Sequence, residues 1–129
     1  MPDLTVAATL TFGPTTPDGA VPCREPLNFT VTYTEISHKI VTVAAAAVDF
    51  AIALDTVTAP TFLLVQSDVT DVTVKLSDGV TADPTPTALT EANGWVMITN
   101  PTGQPINALL VTAPASPTTG ARVRVLAVE

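Results

Sequence analysis

Cysteine occurs once in the 129 residues, at Cys23, so the sequence offers no internal disulfide and its fold has to stand on packing; a reducing compartment suits such a chain. Histidine also occurs once, at His38. Only 13% of residues are charged, and the cations Arg24, Lys39, Lys75, Arg122 and Arg124 are scattered and outnumbered by twelve carboxylates. The resulting net charge of −7 opposes binding to a nucleic-acid backbone, so no nucleic-acid partner is expected. Aromatic residues, at 5%, are too few to build a platform for sugars or single-stranded bases. No apolar run approaches the roughly 20 residues of a membrane-spanning helix, although mean hydropathy is +0.43, so no membrane partner is expected either. The opening MPDLTVAATL has neither the basic start nor the continuous apolar stretch of a secretory signal, and export by that route is not expected. Neither a phosphate-cradling glycine loop nor a repeat of 20 to 50 residues is present.

What the sequence has in quantity is proline, threonine and valine. The 23 Thr and 17 Val are β-branched and favour strands. The twelve prolines cannot donate to a sheet ladder, so they mark the connectors between eight or nine β-type runs. A chain of this length forms one domain by size, here expected as a single β-sandwich over residues 1–129. Low charge combined with 47% hydrophobic residues leaves more apolar surface than a small domain hides, which predicts association with other protein.

Alternation locates the runs. In LTVAATLTF, Leu4, Val6, Ala8, Leu10 and Phe12 share one face, and in LNFTVTY, Leu27, Phe29, Val31 and Tyr33 do the same; the two can pair as an antiparallel ribbon over residues 1–36. HKIVTVAAAA starts as a strand and then bends. VDFAIAL places Val48, Phe50, Ile52 and Leu54 inward. TFLLVQ, with Phe62, Leu63, Leu64 and Val65 in succession, suits a strand covered on both faces, and Phe62 and Leu64 are expected at the centre of the core. A hairpin through Ser67-Asp68 leads to DVTVKLS, closed by an Asp78-Gly79 turn. Residues 80–94 are ambiguous, and WVMIT, INALLVT and ARVRVLAV follow. The last run sets Val123, Val125 and Ala127 against a face with Arg122, Arg124, Leu126 and Val128, as a partly covered sheet surface would. The expected fold is all-β, an antiparallel sandwich of eight or nine strands and jelly-roll type, with a closed barrel as the rival.

Candidate sites are thin. His38 with Ser37 and Glu35 has the residue types for acid–base or nucleophilic work, but adjacency in sequence does not assemble a triad. Asp68, Asp71 and Asp78 flank one predicted hairpin and have the oxygen chemistry of a calcium site, yet they match no calcium loop, and aspartate is common in turns for its backbone bonding. Trp95 follows the Asn93-Gly94 turn and reads as a core anchor rather than a rim residue. Cys23 has Arg24 beside it but no further activation. No catalytic residue, metal or cofactor is expected, and the chain is not expected to be an enzyme.

Three segments carry a likeness: MPDLTVAATLTF, LDTVTAPTFLLVQSDVTDVTVKLSDG and ITNPTGQPINALLVTAPASPTTGARVRVLAVE. Together they resemble small structural proteins of tailed bacteriophages. The resemblance implies a virion protein present in many copies, a capsid decoration or cement subunit whose partners are the major capsid protein and copies of itself. It would sit on the capsid surface, after assembly in the host cytoplasm. A tail or receptor-binding fibre domain is the alternative, and a carbohydrate-binding module a further one. The apolar face of the ribbon, Leu4, Val6, Leu10 and Phe12, is the expected oligomer interface.

Overall fold

A computed structural model describes residues 2–12, 23–82, 86–100 and 104–129. The connectors expected around Pro14, Pro17, Pro22, Pro84 and Pro101 lie outside the described residues. The chain divides into two compact units, Met1–Thr34 and Glu35–Glu129. The sandwich is built by the second unit rather than by the chain as a whole.

The first unit is a two-stranded antiparallel sheet of β1 (Asp3–Phe12) and β2 (Cys23–Thr32). Its register runs from Asp3 opposite Thr32 to Phe12 opposite Cys23, and the Tyr33 N–H donates to the Pro2 carbonyl beyond the last pair. β2 begins four residues earlier than the Leu27 start that alternation suggests and takes in Pro26, opposite Thr9. A two-stranded sheet has only edge strands, so a residue without an N–H can face away from the ladder there.

Among the described residues the second unit contains eight strands: β3 (Ile36–Val43), β4 (Phe50–Ala53), β5 (Phe62–Ser67), β6 (Val72–Ser77), β7 (Thr87–Leu89), β8 (Trp95–Thr99), β9 (Ala108–Thr112) and β10 (Ala121–Val128). They form two four-stranded antiparallel sheets, ordered β3-β10-β5-β8 and β4-β9-β6-β7. The described residues contain no helix, and the fold is an all-β antiparallel sandwich. Four of the pairings are nested: β3 with β10, β4 with β9, β5 with β8 and β6 with β7. Two further pairings, β10 with β5 and β9 with β6, join the nested pairs into sheets.

The core lies between the sheets. From the first sheet come Val43, Leu63, Val65, Val123, Val125 and Ala127, and from the second Ile52, Val72, Val74, Leu109 and Val111, all buried. Leu54, Val57 and Ile106 close it from the connections. Most of these residues are β-branched, matching the strand-favouring composition.

Alternation fails at two places, each for a local reason. Val48 and Phe50 were expected inward with Ile52 and Leu54, but they are 74% and 41% exposed. Asp49 between them has φ 51°, in the left-handed region, which resets the side-chain phase before β4; Phe50 then sits at the end of an edge strand. In β5 the expected central pair was Phe62 and Leu64. Phe62 is 2% exposed, yet Leu63 and Val65 are the residues in the inter-sheet core, and Leu64 is half-buried on the other face.

The expected hairpin from β5 into β6 is not one, because the two strands belong to different sheets. The Ser67 hydroxyl donates to the Val69 carbonyl at 3.0 Å and accepts from its N–H at 3.2 Å. Asp71 then takes φ 61°. This folds the chain over the end of the sandwich instead of back along its own sheet. Residues 80–94 contribute β7, three residues long and paired with β6.

Leu63→Ala is expected to cost about 2–5 kcal/mol and Leu64→Ala markedly less, as read by chemical denaturation of both variants. Gly120, just before β10, has φ 82°, and a Cβ there would collide with the Val43 carbonyl oxygen. Gly120→Ala should therefore lower stability by at least about 2 kcal/mol in the same assay, although alanine adds one carbon.

Candidate functional site

Strand β10 sends Val123, Val125 and Ala127 into the core, so period two sends Arg122, Arg124 and Leu126 to the outer face of its sheet. Both arginines are exposed. Register sets their neighbours. Arg124 lies between Ile40 of β3 and Gln66 of β5, and Gln66 is opposite Trp95 of β8, giving the row Ile40, Arg124, Gln66, Trp95. The next row is His38, Leu126, Leu64, Met97. Ile40 is 45% exposed and Trp95 51%, at opposite edges of the sheet, with Ile36 at 43% farther along β3.

A depression of about 160 Å³ opens in this face, lined by Ile40, Gln66, Asp68, Asn93, Arg122 and Arg124. Its walls are fixed by hydrogen bonds. Asp68 Oδ1 accepts the Arg122 N–H at 2.7 Å, while the Asp68 N–H donates to the Arg122 carbonyl. The Gln66 amide donates to the Asn93 carbonyl at 3.2 Å, and the Ser67 N–H to the Gly94 carbonyl. Asn93 has φ 59°, a conformation this residue type tolerates well. The loop 90–94 is thereby tied to the end of β5.

Among the described residues two ion pairs form, Lys39 Nζ to Asp55 Oδ1 at 2.6 Å and Lys75 Nζ to Asp49 Oδ1 at 3.0 Å. Neither involves Arg122 or Arg124. The depression is a site where two guanidinium groups stand side by side without a carboxylate partner among the described residues. It can accept an anionic group, with amide donors and acceptors and an isoleucine beside it.

Trp95 was expected in the core and is not there. Val96 and Ile98 of β8 pack against the core, which obliges Trp95, Met97 and Thr99 to face outward. In WVMIT four of five residues are apolar, so composition does not reveal the phase.

The other candidates do not assemble. Ser37 and His38 point to opposite faces of β3: the Ser37 side chain is buried and donates to Asp55 Oδ2 at 3.2 Å, His38 is exposed, and Glu35 accepts from the Thr56 hydroxyl at 2.9 Å. Asp71 precedes β6 and Asp78 follows it, so a six-residue strand spanning roughly 20 Å separates them. Among the described residues no three His, Cys, Asp or Glu side chains are grouped to hold a metal ion. Leu4 and Val6 are half-buried on one face of the ribbon, opposite Val31 and Phe29. The side chains of Leu10, Phe12, Cys23 and Arg24 lie outside what the structure describes.

No family profile, curated protein or solved structure matches the chain.

Three carboxylates are held below their ordinary ionisation range. Lys39 hydrogen-bonds to Asp55 and lowers it, with Ser37 adding to the effect. The backbone N–H groups of Thr81 and Val80, at 2.6 and 2.8 Å, lower Asp78. The N–H groups of Ala59 and Thr58 lower Glu129. Each group binds its proton less readily folded than unfolded, so each contributes stability above the ordinary values of 3.8 for Asp and 4.5 for Glu. That contribution is lost as pH falls through the lowered folded value. Melting temperature should therefore decline on acidification below about pH 4, and the deficit of Asp78→Ala relative to the parent should narrow over the same interval.

Proposed function

We propose that this chain is a non-catalytic virion protein of a tailed bacteriophage, a decoration or cement subunit bound in many copies to the capsid surface. The nested strand pairing supports a jelly-roll reading of the sandwich, two sheets wound from one folded ribbon. The single observation that carries the contact role is the outer face of the β3-β10-β5-β8 sheet. There Ile36, Ile40 and Trp95 are 43% or more exposed around two arginines that have no ion-pair partner among the described residues. Tryptophan and arginine are the residue types that dominate the energetics of protein interfaces.

A second support is the separate compact unit Met1–Thr34. A ribbon with its own register can engage a neighbouring subunit while the sandwich engages the lattice, and affinity then comes from repeated copies rather than from one tight site. The acidic balance of the chain, −7, disfavours adhesion to a packaged genome.

Quantified protein bands from particles of the encoding phage are the test. The expected result is close to one copy per major capsid subunit; a few copies per particle would favour a tail location, and absence from the particle would refute a virion role.

A further inference from the structure

Both strands of the β1–β2 ribbon are edges, and the two edges differ. The register that sets Asp3 opposite Thr32 continues to Pro2 opposite Tyr33, where the Tyr33 N–H donates to the Pro2 carbonyl at 3.1 Å. Hydrogen-bonded and non-hydrogen-bonded pairs alternate along an antiparallel ladder, so Asp3–Thr32, Thr5–Thr30, Ala7–Asn28, Thr9–Pro26 and Thr11–Arg24 are the pairs whose backbone groups turn away from the facing strand. Pro26 therefore leaves a gap in the outward donors of β2, between Arg24 and Asn28. On β1 there is no such gap. Asp3, Thr5, Ala7, Thr9 and Thr11 present an unbroken row of outward N–H and C=O groups, and among the described residues β1 pairs with β2 alone.

Proteins blunt open sheet edges with proline, with charge or by keeping the edge strand short. At the edges of the sandwich, β4, β7 and β8 are four, three and five residues long, and β3 carries Lys39. β1 runs for ten residues with no proline and no cation. Its one charge, Asp3, stands at its first position, with Oδ1 accepting the Thr32 hydroxyl at 2.9 Å. A two-stranded sheet is marginal in water by itself, and added strands are what stabilise it.

The outward row of β1 is complementary to itself. A two-fold axis at Ala7 lays a second β1 antiparallel to the first, with Ala7 opposite Ala7, Thr5 opposite Thr9 and Asp3 opposite Thr11, so outward donors meet outward acceptors along the row. The two Asp3 carboxylates then lie at opposite ends, and no like charges face each other. In a chain of net charge −7, this segment lets two copies meet without strong repulsion. The half-buried Leu4 and Val6 of both copies fall on one face of the enlarged sheet.

We propose that the outer edge of β1 is a self-association surface, pairing with β1 of a second copy into one antiparallel sheet ordered β2-β1-β1-β2. The proposal rests on the reading of the ribbon as the part that engages a neighbouring subunit, and it names the edge and the partner.

Sedimentation equilibrium and amide hydrogen exchange of the full chain test it. The parent protein should dimerise, and exchange at Thr5, Ala7 and Thr9 should slow with rising protein concentration while exchange at Asn28 and Thr30 does not. Ala7→Pro removes the donor at the axis without removing a β1–β2 hydrogen bond, and should weaken the dimer at least roughly tenfold. Asn28→Pro makes the same change directly opposite, on the β2 edge, and should leave the dimer at parental strength. Slow exchange at Leu4 and Val6, whose N–H groups bond within the ribbon, verifies that β1 and β2 still pair in each variant, and the exchange pattern of the parent tests the edge independently of both. A parent chain that stays monomeric up to roughly 100 µM, or Asn28→Pro weakening the dimer as much as Ala7→Pro, overturns the proposal. Particle binding measured in parallel separates the two readings. A monomer that still saturates capsids removes this contact and leaves the decoration role, whereas a dimer broken by Ala7→Pro that ignores capsids does the reverse.

Discussion

Strand β10 holds the sandwich together. It lies between β3 and β5, so the first strand of the sandwich joins its sheet only through the last one. Its inward residues Ala121, Val123, Val125 and Ala127 are essentially inaccessible, and the same alternation that buries them places Arg122 and Arg124 on the opposite face. Core and candidate site are thus two sides of one eight-residue segment. A one-residue slip would put both guanidinium groups into the core and turn the four inward aliphatic side chains outward, so the register of β10 is strongly specified.

The sheets differ in the character of their outer surfaces. The β4-β9-β6-β7 sheet turns out mostly small or hydroxyl-bearing side chains, Ala51, Ala53, Thr73, Ala88 and Thr112, around the half-buried Leu110, and its Lys75 is neutralised by Asp49. The β3-β10-β5-β8 sheet turns out larger side chains and two arginines that form no ion pair among the described residues. In a protein with twelve carboxylates, that concentration of arginine, tryptophan and isoleucine sets one outer face apart from the other in residue types.

The sequence was legible where alternation was strict. ARVRVLAV separates core from surface as far as Ala127, after which Val128, expected on the outer face, is buried instead, and the β1 and β2 segments pair as their patterns suggest. Legibility failed where apolar residues ran together. FLLV and WVMI fit either phase, so Phe62 and Leu64 were placed ahead of Leu63 and Val65, and Trp95 was placed inside. It failed again where one backbone torsion intervened, as at Asp49, whose left-handed conformation is invisible in hydrophobic pattern. Of the site, the two arginines stood out as an outward pair. Ile40, Gln66 and Asn93 join them only through the pairing of β10 with β3 and β5 and the tie from Gln66 to the loop 90–94, which no local signal encodes.

Within the sandwich, β6 and β7 are the sole consecutive strands that share a sheet; every other step along the chain changes layers. Such a topology has few local contacts to form early and high contact order, which places folding toward the slow, millisecond-to-second end for small domains. During synthesis β3 waits for β10 with its ladder groups unsatisfied, and β5 waits with one side open. Until that closure is complete, exposed strand edges can pair between molecules as readily as within one, so the interval between the making of β3 and of β10 is when the chain is most exposed to aggregation.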